Sequence, residues 1–249
     1  MEIIVLILII VFLLILRCDN NENFNVMHQK NNIIHNKLDN NLNIITFIIP
    51  TIGRKTLSES IKSLQKQTNP NWKAIIIFDG IKSTININDP RIKIIEIDKK
   101  GRDKNSAGLV RNNGIKLVNT KWIGFLDDDD YLADDYVETF YKELDLHSDL
   151  DVLIYRMTDK ENIFPELETD NFYLNHVGIS FIINKKIIDN NLEFIPSSSE
   201  DFDYLDRIRS NKYKIIISPH IKYFVRSNGE FGDIDKYKNI KGKRILINY

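Results

Sequence analysis

Residues 3–16 (IIVLILIIVFLLIL) are apolar without interruption, with Glu2 before them and Arg17 after. As a helix the run reaches about 21 Å at ~1.5 Å per residue, against a hydrocarbon core of about 30 Å. That is short for a span. It has no basic segment before it and no small-residue cleavage site after it, so residues 1–17 read as an uncleaved, single-pass membrane anchor rather than a signal peptide. The alternative is a buried core helix, which would have no polar face at all. Residues 18–43 are rich in Asn and lack a period, which predicts a linker.

From residue 44 the pattern changes to alternating strand and helix signals. An apolar run at 44–50 ends in Pro50, and Leu57, Ile61 and Leu64 then recur at helical spacing. Further strands are predicted at 72–80, 91–97, 121–126 and 151–157, with helices over 107–118 and 134–146. In the first of these helices Leu109, Val110, Ile115 and Leu117 are available to bury. The later part predicts a strand within 172–184, a helix over 197–212 entered through Ser and Asp caps, and separate strands at 213–219 and 221–226. Such alternation argues an α/β fold, a Rossmann-like, mainly parallel sheet flanked by helices, over 44–249.

Ligands of parallel sheets bind beyond the carboxyl ends of the strands. Thr51 follows the first strand, Asp79 the second, and Asp127, Asp128, Asp129 and Asp130 the fourth, so these polar groups are placed to converge. Four adjacent carboxylates repel one another, and a cation is expected among them. Mg²⁺ and Mn²⁺ take carboxylate oxygens, and alternation along a strand sends Asp127 and Asp129 to the same side. A solvated acidic turn before the next helix is the alternative.

A net charge of -1 gives no basic footprint for a nucleic-acid partner. The one cysteine, Cys18, excludes an intrachain disulfide framework and a cysteine-based zinc site. Abundant Ile, Asn and Lys are the mark of an AT-rich genome, such as that of a protist or a large DNA virus.

The segments ITFIIPTIGRKTLSESIKSLQKQT, WKAIIIFDG, GLVRNNGI, WIGFLDDDDYL and SSEDFDYLDRIRSNKYKII, in that order, resemble the family 2 glycosyltransferases of GT-A fold over about residues 44–226. The resemblance implies a metal-dependent inverting glycosyltransferase that moves a sugar from a nucleotide-sugar, with UDP preferred, to a hydroxyl of a glycan, protein or lipid. It implies that Pro50, Thr51 and Asp79 hold the nucleoside and that Asp127 or Asp128 lies near the ribose or donor sugar. Asp129 would bind Mn²⁺ or Mg²⁺, Arg102 or Arg111 would approach the diphosphate, and Asp201 would be the general base.

Several positions depart from the family pattern. Ile52 and Gly53 replace a Tyr-Asn pair, so the aromatic stack on the base is missing. Phe78 stands where a first Asp is common, and Asn228 where a His is common, with His220 and His176 as other candidates on the metal or acceptor side. A non-catalytic sugar-nucleotide or carbohydrate binder and a nucleotidyltransferase are the competing expectations.

Overall fold

The computed structural model describes residues 44–101 and 107–247. The anchor at 1–17, the linker at 18–43 and Arg102 lie outside the described residues. Among the described residues, no helix is long and apolar enough to cross a membrane.

The first half follows the alternation in the sequence. It runs β1 (Ile45–Thr51), α1 (Leu57–Gln65), β2 (Trp72–Asp79), β3 (Ile92–Ile97), α2 (Ala107–Ile115) and β4 (Trp122–Phe125). Strand β1 is buried at every position and pairs in parallel with β2 on one side and β4 on the other. Because these three strands run the same way, their carboxyl ends share one edge of the sheet. That edge carries Thr51, Asp79 and the acidic turn.

The second half comprises β5 (Tyr131–Leu132), α3 (Tyr136–Leu146), β6 (Val152–Thr158), β7 (Ile163–Phe164), β8 (Phe181–Asn184), α4 (Lys186–Asp189), α5 (Glu200–Ser210), β9 (Ile215–Phe224), α6 (Ile234–Tyr237) and β10 (Ile245–Leu246). The sheet order is β10-β9-β6-β8-β4-β1-β2-β3, with β5 on β9 and β7 on β6. Strand β8 runs antiparallel to both β4 and β6, so the sheet is mixed rather than mainly parallel. A strand that returns antiparallel beside its predecessor needs no crossover helix, and none stands between β6 and β8.

Three local expectations change. Of the 172–184 segment only β8 is strand, and the two strands expected at 213–219 and 221–226 form one, β9, that continues through Pro219. Its pairing with β6 slips in register around Arg156, next to a proline with no N–H to give to the ladder. On α2, Leu117 lies beyond the helix end and is exposed, whereas Arg111, Asn112 and Gly114 are buried. That helix presents polar side chains inward because its inner face meets the site.

Candidate active site

A cavity of about 480 Å³ opens at the carboxyl ends of β1, β2 and β4. Pro50, Thr51, Asp79, Arg111, Asp127, Asp128 and Asp201 all line it, together with Arg54, Lys99 and Glu200. Asp129 does not. Asp79 is buried at the end of β2, where its Oδ1 accepts the Lys100 N–H at 2.6 Å and its Oδ2 the Gly101 N–H at 3.0 Å. It thereby fixes the loop that follows β3. Gly80 beside it has φ of 74°, a left-handed value, and a Cβ there would stand 2.6 Å from the Lys99 Cβ.

Each carboxylate of the acidic turn is partnered, two of them by one arginine. Arg111 Nη2 donates to Asp127 Oδ1 at 2.6 Å. Asp128 accepts from the Thr51 hydroxyl at 2.6 Å and from Arg54 Nη1 at 2.8 Å, and the same Arg54 nitrogen reaches Asp129 Oδ2 at 3.0 Å. Asp130 is buried and accepts the Arg226 backbone N–H at 3.1 Å. Tyr223, whose hydroxyl accepts the Asp127 N–H at 3.0 Å, also bonds Asp130. Burial, with Asp127 nearby, pushes the Asp130 carboxyl well above the usual range. Two arginine side chains and a backbone N–H group thus face the four aspartates, and Asp130 ties the turn to β9.

Glu200 and Asp201, adjacent at the start of α5, have different environments. Glu200 Oε2 accepts the Gly108 N–H at 2.9 Å, at the start of α2, and its Oε1 accepts from Arg111 Nη1 at 2.7 Å. Any Cβ at position 108 would lie 2.8 Å from that carboxylate, so only glycine admits the contact. Asn112 adds a two-way pair with the backbone of Phe194, accepting its N–H at 3.0 Å and donating to its carbonyl at 2.8 Å. These bonds hold the approach to α5 against α2. Among the described residues they leave Asp201 without a hydrogen-bond partner at its buried Oδ1, 3.5 Å from Arg111 Nη1, with the side chain 24% exposed. Burial pushes the Asp201 carboxyl up to about 7; Arg111 pulls it back, and Asp127 and Glu200 add to the rise. Arg111 itself is 2% exposed and is held firmly charged, because Asp127, Asp201 and Glu200 outweigh its burial. A carboxylate with an elevated pKa, lacking a hydrogen bond and facing a cavity, is suited to accept a proton near neutral pH.

The family model for glycosyl transferase family 2 matches residues 46–205. This chain belongs to that family. Glycosyltransferase GlyG of Streptococcus pneumoniae is 27% identical over 154 residues, covering 58% of this chain and 48% of its own. The UDP-Glc:alpha-D-GlcNAc-diphosphoundecaprenol beta-1,3-glucosyltransferase WfgD of Escherichia coli is 31% identical over 93 residues, 35% of each chain. The chain thus spans half or less of the length of these two curated relatives. The crystal structure of S. aureus TarS 1-349 in complex with UDP-GlcNAc superposes with a TM-score of 0.59 at 18% identity, covering 74% of this chain and 59% of that one. That likeness establishes a GT-A-like α/β fold with a mixed sheet.

In this family 2 chain the donor set fits a hard divalent cation in part. Asp129 offers a carboxylate that is 38% exposed, and burial together with Asp127 and Asp128 raises its pKa against the pull of Arg54. Mg²⁺ and Mn²⁺ need only one or two protein carboxylates when substrate phosphates complete the shell. Among the described residues, no group of three or more His, Cys, Asp or Glu side chains is arranged to hold a metal alone.

Neither Asn228 nor the candidate histidines line the cavity. Asn228 is at an exposed turn with φ of 52°, a value asparagine tolerates. His220 faces Glu143 at 3.8 Å, and burial, with Lys222 nearby, holds its pKa below the usual value. His176 pairs with Glu166 and lies outside the cavity lining. Sequence reasoning overlooked Arg54, Lys99 and the anchoring role of Glu200. For Arg54 a signal was present: a cation three residues after Thr51 faces the acidic turn once β1 and β4 are neighbours.

Proposed function

We propose that this chain is an inverting glycosyltransferase that moves a sugar from a UDP-sugar to an acceptor hydroxyl of a glycan, protein or lipid. The observation that carries this reading is the unbonded carboxylate of Asp201 in the same cavity as Thr51, Asp79, Asp127 and Asp128. WfgD, named for UDP-Glc, and the TarS complex with UDP-GlcNAc support UDP as the nucleotide.

Pro50, Thr51 and Asp79 wall the nucleoside side, and Ile52, 59% exposed, offers an aliphatic face to the base where an aromatic ring is common. Asp127 and Asp128 face the ribose and donor sugar. Asp201 takes the proton from the acceptor hydroxyl as that oxygen bonds to the anomeric carbon. The bond from that carbon to the diphosphate oxygen breaks, and the nucleoside diphosphate leaves with the electron pair. Attack from the face opposite the leaving group inverts the centre. Glu200, Gly108 and Asn112 hold the base in position. When bound, Mn²⁺ or Mg²⁺ held by Asp129 would neutralise charge developing on the diphosphate. Residues 1–17 would serve as a single-pass anchor to a membrane.

Melting curves of the full chain with UDP, GDP, CMP and ATP, each with and without Mn²⁺, test the donor assignment. UDP is expected to raise the melting temperature, and Mn²⁺ to increase the shift in the wild type but not in Asp129→Ala. No shift with any nucleoside diphosphate would overturn the donor site. A shift with ATP alone, accompanied by pyrophosphate release, would favour a nucleotidyltransferase.

A further inference from the structure

Among the described residues the cavity lining carries five carboxylates against three cations, while the ligand proposed for it is an anion. Asp79, Asp127, Asp128, Glu200 and Asp201 line it, against Arg54, Lys99 and Arg111. A diphosphate entering this surface needs a cation that is free to meet it. Arg111 is not free, since it is buried with three carboxylates within 3.5 Å. Lys99 is exposed and can meet a phosphate, but among the described residues no ion pair joins it to the acidic turn.

Arg54 is placed differently. It stands on the turn after β1 with its side chain 50% exposed, and its Nη1 alone bridges Asp128 Oδ1 at 2.8 Å and Asp129 Oδ2 at 3.0 Å. Among the described residues its other guanidinium nitrogens make no hydrogen bond. One positive centre thus sits between two adjacent carboxylates of the acidic turn, as a divalent cation would.

Building on the donor reading above, we propose that Arg54 is a resident counterion. It occupies the Asp128 and Asp129 carboxylates that a divalent cation would otherwise take, and it passes to the diphosphate when the donor enters. Release leaves the Asp128 carboxylate, 4% exposed, with the Thr51 hydroxyl as its partner, and a charge-assisted contact from Arg54 to the diphosphate offsets the lost pair. The same arginine therefore opposes metal binding in the free protein and favours nucleotide binding.

Two titrations of the full chain test this without turnover. The first adds Mn²⁺ alone and follows free Mn²⁺ by electron paramagnetic resonance. The second adds UDP in excess EDTA and follows heat. Arg54→Gln is expected to bind Mn²⁺ roughly tenfold more tightly and UDP roughly tenfold more weakly than the wild type, whereas Arg54→Lys stays within about threefold in both. An arginine with only a structural role would weaken both ligands or move neither, and either result overturns the inference while leaving the donor site standing. Wild-type protein that binds no UDP, with or without Mn²⁺, overturns the donor reading and this inference together.

Discussion

Asp201→Asn is expected to lower turnover by about a thousandfold while raising the melting temperature. Asparagine keeps the shape of the side chain but cannot take a proton. The gain in stability follows from the elevated pKa, about 7 in the folded chain against an ordinary 3.8. Between those values the folded state binds a proton that the unfolded state has released, so stability contributed by the protonated group is lost as pH rises through about 7. At pH 8 the ionised Asp201 therefore destabilises the fold, and its removal should return roughly 2 kcal/mol, allowing for partial solvent screening of a shift worth ~1.4 kcal/mol per unit. The advantage of Asn should shrink on acidification and vanish below about pH 4. Melting curves of both proteins between pH 4 and 8, with UDP affinity as a control unchanged within about twofold, check this. A variant less stable than the wild type at pH 8 would mean that Asp201 is a structural carboxylate.

Arg111→Met should be the most damaging single substitution to stability in the site. Methionine has similar reach but no charge, and it strands Asp127, Glu200 and Asp201 around a buried position. Removing one partner of a buried ionic cluster costs about 3–5 kcal/mol, and the partial exposure of the three carboxylates argues for the lower end, about 3 kcal/mol. Without the pull of Arg111, burial and the nearby Asp127 and Glu200 raise the Asp201 carboxyl further, so it takes up a proton as pH falls. The stability gap to the wild type should therefore be widest near pH 8 and narrow toward pH 5. Urea unfolding at both pH values measures the gap, and a gap independent of pH would assign the loss to packing rather than charge.

The series of motifs was legible because each lies within one strand-turn or helix segment, where spacing determines which side chains share a face. The strand pattern placed Thr51, Asp79, Asp127 and Asp128 at one sheet edge, the resemblance to the family added Asp201, and all five stand around one cavity. What the sequence left unreadable depends on contacts between distant segments. Arg54 and Asp128 are 74 positions apart, and Gly108 and Glu200 are 92 apart. No local pattern specifies which carboxylate will meet which arginine. The reversed strand β8 was hidden for a related reason: its apolar residues fit either strand direction, and only its pairing with β4 and β6 makes the sheet mixed. Buried Arg111 and Asn112 broke the helical apolar pattern of α2, an irregularity that marked the site rather than a weak helix.

The central claim is that Asp201 is the proton acceptor of sugar transfer. Its most direct test is UDP release from UDP-GlcNAc or UDP-Glc by the full chain, with water as acceptor, from pH 5.5 to 8.5. Wild-type kcat/KM should rise with pH to a plateau with a midpoint near 7, the value to which burial pushes the Asp201 carboxyl, and Asp201→Asn should lose that rise along with most of the rate. Release that is flat across this range, or that Asp201→Asn leaves unchanged, would contradict the account.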